Sequence, residues 1–165
     1  MDILTELINK IEEIDINKVL DEYFTKNKEF ILDLNKEQLY EFGVRSDDTK
    51  IGDYKPSTVS YKKRKGQRHD HITLKDTGKF YDSFTLDFEG QELIFDAFPL
   101  KFAKISLKFN ENSQPFRYGS KKKKRAVNLF EVYGIDILGL NEKSKDIMLL
   151  SIRDFIIKKY DEIMD

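Results

Sequence analysis

The chain has no cysteine. A disulfide, a zinc–thiolate site and a cysteine nucleophile are therefore all excluded, and nothing in the sequence needs an oxidising compartment. Tryptophan is also absent, so phenylalanine and tyrosine must supply the large core groups, and they are plentiful at 13 and 8 residues. No apolar run approaches the ~20 residues that a membrane span needs. The sequence opens Met1-Asp2-Ile3-Leu4 and soon meets Glu12 and Glu13, whereas a secretory signal has the opposite charge order and a longer apolar stretch. The expectation is a protein that is made and folds in a cytoplasm, with no membrane partner.

What is present fits one domain of 165 residues, with 1–43 read as an acidic helical flank or arm and 44–165 as an α+β core. The net charge of −1 hides a pattern. Met1 to Glu41 holds eleven acidic and five basic residues, about −6, and Glu131 to Asp165 holds eight and five, about −3, which leaves about +8 for the centre. Acidic ends around a basic middle favour attraction between copies, or a one-sided field facing an anion.

Leu4, Leu7, Ile8, Ile11 and Ile14 recur at helical spacing. Asp15 is placed to cap a second helix carrying Ile16, Val19, Leu20, Tyr23 and Phe24 on one side. Thr25-Lys26-Asn27 interrupts the pattern, and Phe30, Ile31 and Leu34 resume it. Asn35 reads as a cap for Lys36 to Phe42, with Gly43 in the left-handed position that ends it. The first stretch is thus helical, either packed on its own domain or docked on a neighbouring subunit.

The centre is the most informative part. Pro56 biases Lys55 to extended geometry, Ser57 or Thr58 can cap the helix beyond it, and Lys62-Lys63-Arg64-Lys65-Gly66-Gln67-Arg68 is a basic helix and loop. Thr77-Gly78 is placed to turn and cap the chain before Phe80, Tyr81 and Phe84, of which Phe80 and Phe84 share a face. Thr85-Leu86-Asp87-Phe88 alternates as a strand, and Glu92 to Ala97 completes a hairpin turning at Glu89-Gly90-Gln91. Leu100, Phe102 and Ile105 to Phe109 fit a strand pair or a short helix, and Asn110 to Pro115 a loop. Lys121, Lys122, Lys123, Lys124 and Arg125 form a second basic cluster. Val127, Leu129, Phe130, Val132 and Tyr133 return to the core, and Gly134 ends that piece. Asn141 caps a final helix with Leu149, Ile152, Phe155, Ile156, Tyr160 and Ile163 as its apolar stripe.

The fold expected is α+β: a helical N-terminal part and a long C-terminal helix packed on a small antiparallel sheet. The core should hold Leu74, Phe80, Phe84, Leu86, Phe88, Leu93, Phe95, Leu140, Ile152 and Ile156.

Two blocks carry a family resemblance. The first is Pro56-Ser57-Thr58, then Lys62, Lys63 and Lys65, then Leu74-Lys75-Asp76-Thr77-Gly78-Lys79-Phe80 with Ser83 and Phe84; the second is Ile137-Leu138-Gly139-Leu140-Asn141 before the last helix. Together they resemble the phage virion morphogenesis family of tail-completion and neck (head–tail joining) proteins. Phe102-Ala103-Lys104-Ile105 is similar to a further segment of that family but lacks its histidine. The resemblance implies a structural virion protein, without cofactor and not an enzyme. Such a protein is assembled in the host cytoplasm into a ring of identical subunits at the head–tail junction. Its partners would be copies of itself and adjacent portal, connector or tail proteins, with DNA in the channel. A ring needs a heterologous interface, which acidic ends and a basic middle could supply.

Two other classes remain open. Lys62, Lys63, Arg64, Lys65 and Arg68, with Lys121 to Arg125, could neutralise phosphates, with Tyr61 and Phe116 interleaved for stacking; the plainer reading is a solvated basic face. Asp76-Thr77-Gly78 matches the triplet of aspartic proteases, and Ile137-Leu138-Gly139 is similar to the apolar-apolar-Gly segment of the retroviral type. In those enzymes two such aspartates share a proton. Here the triplet is flanked by Lys75 and Lys79, and no glycine-rich flap comes after it. His69-Asp70-His71 offers two metal ligands without a third. Asp48 and Asp53 lack the spacing and terminal glutamate of a calcium loop.

Overall fold

A computed structural model describes residues 15–89, 92–98 and 128–164. The expected N-terminal helix through Ile14, the hairpin tip at Gly90-Gln91, the elements of 100–115, and the cluster Lys121 to Arg125 all lie outside the described residues, as do Phe116, Val127 and the side chain of Ile163.

The architecture is α+β. Helix α1 (Ile16–Lys26) is followed by α2 (Lys28–Glu37), a π-helical turn (Gln38–Phe42), α3 (Pro56–Arg64), a 3₁₀ turn (Tyr81–Ser83), strands β1 (Thr85–Glu89) and β2 (Glu92–Asp96), α4 (Leu129–Tyr133), a second 3₁₀ turn (Ile135–Ile137) and the 23-residue α5 (Glu142–Met164). The strands form an antiparallel hairpin pairing Thr85 with Asp96 and Glu89 with Glu92.

Local chemistry explains many of the boundaries. The Asp15 carboxylate accepts from the backbone N–H of Asn17 at 3.0 Å, capping α1. Asn27 closes α1 by donating its backbone N–H and its side-chain amide to the Tyr23 carbonyl, both at 2.9 Å. Asn141 caps α5 by accepting from the Ser144 N–H at 3.0 Å. Gly43 ends the π turn at φ +62°, and an added Cβ there would meet the His71 ring at 2.4 Å. Glycine is required twice over at this position, by backbone conformation and by space.

Other expected caps are not used. Asn35 lies inside α2, which runs on to Glu37, and its side chain is fully buried. At α3 the N-cap is Lys55 in extended geometry with Pro56 at the first helical position, and no side-chain oxygen of Ser57 or Thr58 caps it. Proline supplies the preset φ instead. Nor does the Thr77 hydroxyl cap the Tyr81–Ser83 turn, for which Phe80 is the N-cap residue without a side-chain bond. Gly78, at φ +88°, turns the chain, and its carbonyl accepts from the Asp82 N–H at 2.9 Å.

One apolar cluster joins the first helices, the 3₁₀ turns, the hairpin and the C-terminal helices. Ile31 and Leu39 from the acidic first stretch are fully buried with Phe80, Phe84, Leu86, Ile137, Leu138 and Leu140. Phe24 lies 4.3 Å from Phe88, ring centre to ring centre, and Tyr23 lies 5.5 Å from Phe155, so α1 is the wedge between hairpin and last helix. Of the expected core, Leu74, Leu93, Phe95 and Ile152 are only partly buried against this cluster, and Phe88 and Ile156 are half-buried. Leu149 and Val132 were expected inside and are exposed, because α5 turns Met148 and Ile152 inward and the short α4 buries Leu129.

Candidate functional site

The basic helix and loop do not act as one surface. Lys63 and Arg64 are exposed on the last turn of α3. Lys62 is turned inward: its ammonium donates to the Lys75 carbonyl at 2.6 Å and sits 4.9 Å from the centre of the Tyr54 ring. Its place among the phosphate-contacting candidates is thereby corrected, because a buried cation with fixed partners is not free to meet a phosphate. Lys65 pairs with Asp76 at 3.4 Å and lies over Tyr61 at 4.6 Å. Arg68 bridges Glu41 and Asp70, the latter at 3.1 Å, and lies over Tyr40. The Glu41 and Asp70 carboxylates hold the Arg68 guanidinium pKa above its ordinary value, Glu41 contributing most. Lys63, Gly66, Gln67, Arg68, His69 and Asp70 line an open depression of about 530 Å³.

The other sequence candidates fall beside this face. Asp76, the protease-like aspartate, sits in the loop before the 3₁₀ turn; its carboxylate faces Lys65 and its carbonyl accepts from Gln67 Nε2 at 2.7 Å. His71 uses one ring nitrogen toward Asp70 at 3.2 Å and the other toward the Tyr40 carbonyl at 3.0 Å, while His69 Nδ1 faces the Gln67 carbonyl at 3.0 Å. Among the described residues no cluster of three or more His, Asp or Glu side chains could hold a metal ion. Asp48, at φ +63°, accepts from Asn141 Nδ2 at 3.0 Å and from the Glu142 N–H at 3.3 Å, a second cap on α5.

Two polar groupings were not foreseen from the sequence. The first is centred on buried Thr73. Tyr54 Oη accepts from the Thr73 N–H at 3.0 Å and lies 3.1 Å from its Oγ1, while Tyr81 Oη donates to the Thr73 carbonyl at 2.5 Å. Burial pushes the Tyr81 phenol pKa well up, so it stays a donor. With Lys62, this grouping fastens the loop before the 3₁₀ turn to α3. The second is a clamp. Asn35 Nδ2 donates to the Ile137 carbonyl at 3.3 Å and its Oδ1 accepts from the Gly139 N–H at 3.3 Å. Gln38 Nε2 donates to the Gly139 carbonyl at 2.8 Å and its Oε1 accepts from the Asn141 N–H at 2.9 Å. Two amides one helical turn apart thus satisfy four backbone groups of Ile137–Asn141 inside the core. The available signal was their phase, since Asn35 and Gln38 follow Ile31 and Leu34 on the buried side.

Comparison with known protein families, with curated proteins and with solved structures finds no match for this chain.

Proposed function

We propose that this chain is a structural building block of a phage particle, of the neck or tail-completion type, not an enzyme. It would form a ring at the head–tail junction alongside portal, connector or tail proteins. One observation carries the reading: Phe80, Ser83 and Phe84 of the first resemblance block, and Ile137, Leu138 and Leu140 of the second, are employed in holding the fold. Phe80 and Phe84 pack edge to face at 4.9 Å, and Phe80 meets Phe130 at 6.5 Å. Ser83 Oγ donates to the Phe80 carbonyl at 2.6 Å and accepts from the Phe98 N–H at 2.9 Å, tying the 3₁₀ turn to the exit of β2. Ile137, Leu138 and Leu140 are buried in the same cluster. Asp76 is engaged by Lys65, which argues for a structural rather than a proton-sharing role. Light scattering and electron microscopy of the purified protein test the proposal, with mass spectrometry of virions. Rings and virion incorporation are expected; a strict monomer absent from particles overturns it.

Nucleic-acid binding is the second reading, favoured by the exposure of Lys63 and Arg64 beside the open depression. It is compatible with a ring around DNA. Retention of DNA on filters should then fall steeply as salt rises; no retention at low salt removes it.

A further inference from the structure

The tyrosine rings around the basic helix and loop are already occupied. The Lys65 ammonium lies 4.6 Å from the centre of the Tyr61 ring, and that of Lys62 lies 4.9 Å from Tyr54. Lys75 lies 4.6 Å from Tyr40, which Arg68 also meets at 5.8 Å, and 5.8 Å from Tyr81. Of these four tyrosines only Tyr61 is exposed, at 39%. A cation over a ring face is held by the negative quadrupole of the ring. Over Tyr61 it is held twice, because Asp76 takes the Lys65 ammonium at 3.4 Å. A nucleobase stacking on that face would have to displace a cation with two partners. His69 is partly buried, with Nδ1 facing the Gln67 carbonyl at 3.0 Å.

The outward row of α3 offers a different chemistry. Ser57, Ser60 and Arg64 follow one another at three- and four-residue spacing and so share a face, and all three are exposed with Lys63 beside them. Tyr61 borders this row beneath its Lys65 cover. The serines are small enough to let a phosphate chain come close. Hydroxyl, ammonium and guanidinium groups all donate to phosphate oxygens, and such contacts position a nucleic acid without reading its sequence.

We propose that the nucleic acid taken by this face is a duplex, held through its phosphate backbone by Ser57, Ser60, Lys63 and Arg64, with no base stacked and no base read. The inference rests on the second reading above, that the chain binds nucleic acid, and names which form it binds. Single strands are held by aromatic platforms on which bases stack, and the cations over Tyr61, Tyr54 and Tyr40 occupy the rings that would serve. A duplex needs no such platform. It carries one charge per about 1.7 Å of its axis against about 3.4 Å for one strand, so each neutralised phosphate releases more counterion.

Filter retention at low salt tests this on the unmodified protein, with a DNA duplex, its two separated strands and a second duplex of unrelated sequence. The duplex should be held more tightly than either strand, and the two duplexes alike within about twofold. Inorganic polyphosphate, a phosphate chain without bases, should compete for the site. Two variants locate the contact. Lys63→Gln with Arg64→Gln should weaken retention of both duplexes by about tenfold or more at low salt. Tyr61→Leu should leave it within about twofold, whereas loss of a stacking platform would weaken it about fivefold or more. Retention of a single strand as tight as that of the duplex, failure of polyphosphate to compete, or a fivefold loss in Tyr61→Leu overturns the proposal and leaves nucleic-acid binding standing. No retention of any probe removes both. The comparison of duplex with strands needs no variant, so it decides the matter even where a substitution disturbs folding.

Discussion

Gln38 and Asn141 are separated by 103 positions in the chain and joined by one buried hydrogen bond of 2.9 Å. The same glutamine donates to Gly139 at 2.8 Å, so one side chain fixes the turn that launches α5. Gln38→Leu keeps the bulk but leaves a carbonyl and an N–H without partners, each worth about 1–3 kcal/mol when buried. Chemical denaturation should show a loss of about 2–4 kcal/mol. A variant as stable as the parent would mean that the clamp does not hold this turn.

Gly43 and Gly66 have the same φ of +62° and opposite surroundings: the His71 ring crowds one, and nothing lies within 4 Å of the other. Gly66→Ala should cost only the left-handed penalty of about 1–2 kcal/mol. Gly43→Ala must also displace His71 and should cost clearly more. Melting temperatures of the pair test whether the π turn and the His71 loop are in contact.

Tyr23 is buried, and its hydroxyl makes no hydrogen bond of good geometry among the described residues, although it faces Ser151, which opposes part of the effect of burial on the phenol. Burial raises its phenol pKa. Tyr23→Phe removes an unsatisfied group while keeping the ring against Phe155. It should leave stability unchanged or raise it by about 1 kcal/mol. A clear loss in thermal denaturation would reveal a bond that the hydroxyl makes.

Glu22 receives the ammonium groups of Lys26 at 2.5 Å and Lys159 at 2.9 Å, linking α1 to α5. The hydrogen bond from Lys26, then that from Lys159, lowers its pKa from the ordinary 4.5. A carboxyl depressed on folding contributes stability above its unfolded pKa and loses it as pH falls through the folded one. The advantage of the parent over Glu22→Gln should be full at pH 7, shrink once pH drops below 4.5, and be small at high salt. Parallel stability curves for the two proteins across that range would contradict the pairing.

Lys62 and Lys63 are neighbours with different duties. Lys62→Met strands the Lys75 carbonyl and should cost about 1–3 kcal/mol without altering any DNA retention. Lys63→Ala with Arg64→Ala should change stability by no more than about 0.5 kcal/mol per site. If the chain binds DNA, the double variant should reduce the salt slope by about 2. An unchanged slope would locate the contact elsewhere.

Much of the secondary structure was legible because it is set by neighbours in sequence. The Asp15 and Asn141 caps, the break at Asn27, Pro56 at the head of α3, and the alternation of Thr85 to Phe88 depend on atoms a few residues away. Burial is different in kind. Whether Lys62 points at solvent or at the Lys75 carbonyl, and whether Asn35 caps a helix or grips Ile137 and Gly139, depends on what packs alongside. For the clamp that partner lies about a hundred positions further on. The same holds for the outer face of α5: the spacing of its leucines and isoleucines was written in the sequence, but which of them reach the core was decided by α1 and the 137–141 turn closing on one side. Local stereochemistry fixes where the helices and the hairpin form; only long-range packing assigns their faces, because the free energy of burying a side chain is a property of everything that surrounds it.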